Sequence, residues 1–184
     1  MGHERTLDGT LVIGVLPDPV GDADLSALCA LLGECVRLGA SIGFVEPLPG
    51  EEVRAYWRKV LAEASAGNRL VLAARAAPGG PLVGSAQVAF ESRANGRHRA
   101  EVQKVMVLGS HRRSGVASAL MAAAESAALA RGVRLLHLDT SEGKGGARAF
   151  YEALGYTYVG GIPGYALDPD GTPKPNAILY KELR

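Results

Sequence analysis

Residues 105–121 read VMVLGSHRRSGVASALM. A β-type run breaks at Gly109 and Ser110, passes the pair Arg112–Arg113, and enters an Ala-rich helix through Ser114 and Gly115. The first N–H groups of a helix have no intrahelical partner, so a phosphate can take them. Arg112, Arg113, Ser114, Gly115, Val116, Ala117 and Ser118 are therefore candidates for holding an anion, with Gly115 and Ala117 small enough to let oxygens reach the amides. Taken alone, R-x-x-G-x-A is also what an ordinary strand-to-helix connection with a solvated basic turn looks like.

Two carboxylates lie in apolar runs upstream and downstream. Strand alternation puts Glu101 beside Gln103 on one side of its strand, and His137 beside Asp139 on one side of the next. Burying such groups unpartnered costs on the order of 1 to 3 kcal/mol each. Either a cleft supplies their partners, or Glu101 and Asp139 form structural ion pairs with Arg99, Lys104 or Arg134. Further on, Ala147, Phe150, Tyr151 and Leu154 fall at i, i+3, i+4 and i+7, which leans Tyr151 toward the sheet; by itself that describes a core tyrosine.

Composition narrows the classes. Of 184 residues 47% are hydrophobic, enough for one domain with a real core. Lys plus Arg is 20 and Asp plus Glu 19, so no global field attracts nucleic acid or a membrane, and any phosphate recognition is local. Cys29 and Cys35 lie on a helix-spaced segment with Leu25, Leu28, Leu32 and Val36, where six steps of about 100° separate the thiols too far to bridge. Neither has a metal-like spacing to a histidine, and no metal is expected. With no signal peptide and no apolar run near the roughly 20 residues needed to span a bilayer, a cytoplasmic setting is expected.

The elements that must position these groups follow from periodicity and punctuation. After a leader to Gly9, expected to be flexible, strand Thr10–Leu16 is followed by a turn and helix 24–38. Gly39–Gly50 is a loop, and a helix at 51–66 carries Val53, Trp57, Val60, Leu61 and Ala64 on one side and stops at Gly67. Strands 69–76 and 82–90 form a hairpin through Pro78–Pro81, and 101–108 continues the meander. Helix 116–131 ends at Gly132. Strand 134–140, helix 145–154, and strands 156–162 and 177–183 complete the order β-α-α-β-β-β-α-β-α-β-β, an α/β (α+β) domain.

VMVLGSHRRSGVA, followed by a strand and then ARAFYEALGY, resembles the Gcn5-related N-acetyltransferase (GNAT) superfamily, with its Q/R-x-x-G-x-G/A pyrophosphate loop and later A-x-x-F/L-Y-E-x-x-G-F/Y helix. The order of elements matches too. GASIGF at 39–44, AEVQKVMVL at 100–108 with LLHLDT at 135–140, and IPGYALDPDG at 162–171 look more closely like the tabtoxin-resistance acetyltransferases, which acetylate a β-lactam amino-acid toxin.

The resemblance implies a mixed, mostly antiparallel twisted sheet of about seven strands with about four helices, splayed between the fourth and fifth strands. Acetyl-CoA would lie in that opening. Backbone groups of Val105, Met106 and Val107 would bond the pantetheine arm, N–H groups from Arg113 to Ser118 the pyrophosphate, with charge from Arg112 and Arg113. Glu101 or Asp139 would deprotonate the acceptor, and Tyr151, at the family's general-acid position, would protonate the leaving thiolate. Three departures stand out: Gly109 in place of proline, expected to loosen the turn; Lys144 in place of asparagine; and Ala117 in place of a second glycine. The expected acceptor is the amine, or a hydroxyl, of a small polar amino-acid-like molecule, beneath a lid formed by the 39–50 loop with Phe44. The alternatives are a protein or peptide amine, or a silent acyl-CoA-binding module. A monomer or homodimer is expected, with Pro163–Leu183 closing the sheet or crossing to a neighbour.

Overall fold

A computed structural model describes residues 5–7, 11–143 and 146–184. Its core is a meander of antiparallel strands: β2 (Leu11–Val15), β3 (Arg69–Arg75), β4 (Leu82–Phe90) and β5 (Arg99–Val107), preceded by β1 (Arg5–Leu7) at the edge. Helices α1 (Asp22–Arg37) and α2 (Gly50–Ser65) precede β3, and α3 (Val116–Ala130) follows β5. Then come β6 (Leu135–Ser141), α4 (Arg148–Ala153), β7 (Thr157–Gly160), the short pair β8 (Ala166–Leu167) and β9 (Pro173–Lys174), and β10 (Asn176–Glu182). The main sheet runs β1-β2-β3-β4-β5-β6-β10-β7, and only β5–β6 is parallel. Seven of its eight strands are those read from the sequence.

Both sheet faces are covered, which is why β3 reads as a continuous apolar run. Leu70, Leu72 and Ala74 pack with α3, whereas Val71 and Ala73 pack with Leu28, Leu32, Val53 and Trp57 of α1 and α2. The helix ends follow the expected glycines. Gly132, for example, takes φ 82° just past α3, a left-handed turn that residues with a side chain adopt at a cost.

The structure corrects several boundaries. Arg5–Leu7, inside the stretch read as a leader, pairs antiparallel with β2, whose edge would otherwise be open. Helix α4 starts at Arg148, later than the expected 145: the Gly146 N–H donates to the Gly143 carbonyl at 2.9 Å in a turn, and a Cβ on Gly146 would clash with the Ser141 carbonyl. Strand β7 stops at Gly160, where Gly161 abuts the Asn176 backbone and the Asn176 carboxamide takes the Ile162 N–H at 2.8 Å. The β8–β9 hairpin was not foreseen. It folds back on its own chain, with the Glu46 N–H donating to the Pro169 carbonyl at 2.8 Å and Ser41 Oγ to the Leu167 carbonyl at 3.4 Å.

One irregularity shapes everything that follows. Along β5, Ser85 faces Met106 but Gln87 faces Gln103, so three steps on β5 oppose two on β4, and Lys104 adopts φ 50°. This bulge inverts the alternation. Val102 packs on the α3 side, but Met106, four residues on, packs with α1 and α2. Just before it, β5 and β6 part: they pair only through Arg99–Leu135, Ala100–Leu136 and Glu101–His137.

Candidate active site

The parting strands enclose a cavity of about 480 Å³. Glu101 to Val105 of β5 form one wall and Asp139 to Ser141 of β6 the other, with Tyr151 of α4 at one side. Residues 39–43 also line it, as do Glu142 and, from the β8–β9 segment, Tyr165, Ala166, Asp168 and Lys174. The structure thus brings Glu101, Asp139 and Tyr151 to one opening.

Glu101 sits on the last paired rung of the V and Asp139 two residues beyond it on the departing strand. Because Leu136 and Leu138 pack on the α3 side, His137 and Asp139 fall on the opposite face, where Glu101 also lies. Tyr151 packs in the α3-side core. The gap between β5 and β6 therefore connects carboxylates on one face of the sheet to a phenol on the other.

Neither carboxylate is spent in the ion pairs considered from sequence. Arg99 binds Glu91 at 2.8 Å, the Arg134 guanidinium donates to the Val133 carbonyl, and among the described residues Glu101 and Asp139 form no salt bridge. Glu101 is instead aimed by a polar chain across the α1–α2 side of the sheet. Gln103 Nε2 donates to Glu101 Oε2 at 2.7 Å, and Arg69 donates to Gln103 Oε1 at 2.6 Å and to Gln87 Oε1 at 2.8 Å. Arg69 is anchored on Glu63 at 2.7 Å, and the Gln87 amide donates to the Tyr56 hydroxyl at 2.9 Å. Sequence reading saw Gln103 beside Glu101 but not Arg69, which comes from a strand two places away.

Tyr151 is 8% exposed, with its ring edge-on to Phe150 and Tyr156 at centroid distances of 5.0 and 6.0 Å. Burial first, and the negative charge of Asp139 second, push its pKa up to about 12. The phenol stays protonated through neutral pH, as a proton donor must.

Lys104 is the residue that sequence reading undervalued. It lines the cavity, and a Cβ built on Gly43 would lie 3.4 Å from its Nζ. Burial lowers its pKa, with Asp139 and Glu101 pulling the other way and Arg69 adding to the fall. Only the bulge aims it there, and no local sequence signal announces a bulge. Lys144 falls outside the described residues.

The unpaired edge of β5 runs from the cavity toward α3. Beyond Glu101 its backbone has no β6 partner, so groups around Val105, Met106 and Val107 can bond an extended ligand as an added strand does. Met106 offers backbone alone, since its side chain is buried in the α1–α2 core. The Val107 carbonyl is already approached by the Cys35 thiol at 3.7 Å.

At the far end, the turn into α3 is exposed and built from backbone. Arg113 at φ 61° and Gly115 at φ 84° put two left-handed residues before the helix, a form in which successive N–H groups point outward as an anion-binding nest. Ser114 Oγ donates back to the His111 carbonyl at 2.6 Å, and no side chain caps the helix, which leaves the amides of Val116, Ala117 and Ser118 available. A Cβ on Gly115 would meet open space. Arg112 lies beside Cys35; burial raises that thiol's pKa and the Arg112 charge opposes the rise. Gly109 does not loosen the turn as expected: its N–H donates to Glu34 Oε1 at 2.7 Å, a bond proline cannot make. These features fit a phosphate-bearing, strand-like ligand such as acetyl-CoA. Among the described residues no helix is long and apolar enough to cross a membrane, and no group of His, Cys, Asp and Glu is placed to hold a metal ion.

Comparison with known proteins agrees with this geometry. The chain is 32% identical over 127 residues to an uncharacterized N-acetyltransferase encoded in the hisH-hisA intergenic region of Azospirillum brasilense, covering 68% of this chain and 73% of that protein. Its fold is shared with the ribosomal-protein-alanine N-acetyltransferase of Brucella melitensis (TM-score 0.73, 24% identity, 89% of this chain and 97% of that one). It is shared also with yncA of Salmonella typhimurium, solved with its cofactor acetyl-CoA (TM-score 0.73, 18% identity, 95% of each chain). The Acetyltransferase (GNAT) family pattern matches residues 38–156, nearly two thirds of the sequence and the span from the loop at 39–43 through α4, and by that match the chain belongs to the GNAT acetyltransferase family.

Proposed function

We propose that this acetyltransferase moves the acetyl group of acetyl-CoA directly to the amine of a small polar, amino-acid-like molecule. The observation that carries the reading is the cavity at the β5–β6 fork, which holds Glu101, Asp139 and Tyr151 together under a roof made by residues 39–43 and the β8–β9 hairpin. At neutral pH the acceptor arrives as an ammonium ion. Glu101, directly or with Asp139 through water, takes one of its protons; the freed nitrogen lone pair forms a C–N bond to the thioester carbonyl carbon, and the C–S bond breaks. Tyr151 gives its proton to the departing sulfur and is restored, through water, by the second proton that the nitrogen loses as the neutral amide forms. Transfer is direct because no cysteine lines the cavity: Cys29 and Cys35 lie in α1. Arg113 to Ser118 hold the pyrophosphate, Arg112 adds charge, and the free edge at Val105–Val107 holds the pantetheine arm.

The β8–β9 hairpin and residues 39–43 both border the cavity, which favours a small acceptor over a peptide. The stretches that resemble tabtoxin-resistance acetyltransferases, at 39–44, 100–108, 135–140 and 162–171, all contribute cavity residues, so a β-lactam amino acid falls within the proposed acceptor class. A thiol-release screen with acetyl-CoA against amino acids, β-lactam amino acids, polyamines and peptides tests the reading. Release with amino acids is expected. Release with peptides or polyamines alone would overturn the acceptor class.

A further inference from the structure

Among the described residues two lysines line the cavity, and they are in different states. Lys174 has its own counter-ion, Asp168 at 3.5 Å. Lys104 has none: among the described residues no carboxylate lies within salt-bridge distance of its ammonium. It is half-buried, its Nζ lies against Gly43, and the bulge that puts it there requires φ 50° of a residue with a full side chain. Such conformations are costly, persist where the surrounding structure imposes them, and concentrate at functional sites. A partly desolvated ammonium without a partner is costly too, and an anion delivered by a ligand removes that cost.

The other charges in the cavity suggest which anion. Glu142, which also lines the cavity, is paired with Arg148 at 3.4 Å, and Lys174 with Asp168; Glu101 and Asp139 influence Lys104 electrostatically without touching it, so the charges left unpaired are one cation and two carboxylates facing a common space. A molecule complementary to that arrangement carries an ammonium for the carboxylates and a carboxylate for the lysine, a short distance apart. Arg69, the other cation that Lys104 senses, is committed to Glu63 and to the two glutamines, Gln87 and Gln103.

Resting on the acceptor class above, we propose that Lys104 holds the acceptor's carboxylate, which makes the enzyme selective for amino acids carrying a free carboxylate near the reacting amine. Lys104 is then a specificity residue that places the nitrogen between Glu101 and the thioester. A lysine that instead stabilised charge developing on the thioester oxygen would lower turnover for every acceptor alike.

The test compares L-amino acids with their carboxamides, which keep the amine and lose the anion, at saturating acetyl-CoA, in the parent, Lys104→Met and Lys104→Arg. The parent should favour free acids by about 10- to 100-fold in kcat/KM, the range expected of one charge-assisted contact. Lys104→Met should erase the preference through acceptor KM while leaving the KM for acetyl-CoA unchanged, and Lys104→Arg should keep it. Equal use of acids and carboxamides by the parent, a comparison that needs no variant, overturns the proposal. So does a Lys104→Met enzyme that loses turnover yet retains the preference; there amino acids are still acetylated, and only the role of Lys104 fails. Acetylation confined to polyamines or peptides overturns the acceptor class and this inference with it.

Discussion

The two ends of the β5 edge are built from different materials. The turn at 112–118 is backbone: left-handed Arg113 and Gly115, an uncapped helix start, and exposed side chains at Arg112, Arg113 and Ser114. The cavity at 101–105 is made of side chains aimed from β5, β6, α4 and two loops, and stiffened by a polar chain reaching back to Glu63. A backbone site needs only small residues and the right dihedral angles, which neighbours in sequence supply. A side-chain site needs strands in register, so its parts come from everywhere. The first end suits a ligand common to all turnovers and the second an acceptor that varies between enzymes. Substitutions in the cavity should therefore act on kcat or acceptor KM, and substitutions in the turn on CoA affinity.

The largest effect that would sharpen this division is expected of Tyr151→Phe. The ring and its packing remain and only the proton is lost, so kcat should fall by roughly 10²- to 10⁴-fold with CoA affinity intact. Turnover within about twofold of the parent, when chemistry limits the rate, would leave Tyr151 a packing residue. Stability offers a second readout. The folded pKa of about 12 lies above the ordinary value of 10.0, so the unfolded chain releases this proton first, and stability declines as pH rises from 10 toward 12. Tyr156, pushed upward by burial and Glu125, adds a decline of the same sign. Tyr151→Phe should reduce the alkaline slope measured by denaturant titration.

Next in size, Glu101→Gln should lower kcat by about 100-fold and spare CoA affinity, because the amide keeps the shape but accepts no proton. Asp139→Asn should cost less, since Asp139 is exposed and lies farther along the fork. Initial-rate kinetics beside calorimetric CoA titration decides this: two amides turning over like the parent across the pH range would make both carboxylates structural.

How much of this was legible follows from the same contrast. The strand-to-helix turn at 109–115, the helix stops and the apolar runs of β3, β4 and β6 are local patterns, and each was read where it stands. The fork could be located because the resemblance named the strands. Three features could not be read. The bulge at Lys104 appears only when β5 is laid against β4, and it reverses which side every later β5 residue faces. In the Arg69–Gln103–Glu101 chain, the Arg69–Gln103 bond joins residues 34 apart in sequence. The β8–β9 hairpin is two residues long on each side, too short for any periodicity to show, and is held by loop contacts at Glu46 and Ser41.

A smaller effect is expected at the turn. Gly115→Glu puts a side chain where φ is 84° and a negative charge into open space where phosphates would lie, so the Kd for CoA should rise by about 10- to 100-fold. Gly115→Asn separates the two causes, because asparagine tolerates left-handed geometry and carries no charge, and should cost several-fold less. An unchanged Kd in folded Gly115→Glu would break the assignment of this end to the pyrophosphate.

The smallest effect concerns the hinge between the two ends. Where the family resemblance implies proline, Gly109 donates its N–H to Glu34 on α1 and so ties the end of β5 to a helix. Proline would remove that donor, and a Cβ there would lie 3.1 Å from Leu38 Cδ1 and 3.3 Å from Glu34 Oε1. Against this stands the lower entropy of an unfolded chain containing proline, a gain of roughly 0.4 to 1 kcal/mol at a compatible site. A hydrogen bond to a charged acceptor, discounted here for exposure, contributes on the order of 1 kcal/mol. With the added crowding the loss wins, and Gly109→Pro should destabilise by about 1 kcal/mol in chemical denaturation, with kcat and CoA affinity moved by no more than about twofold. Glu34→Gln should lose part of the same bond, so the two changes together should cost less than their sum. Simple additivity would mean that the Gly109–Glu34 contact contributes nothing and that the turn is held by packing on Leu38 alone.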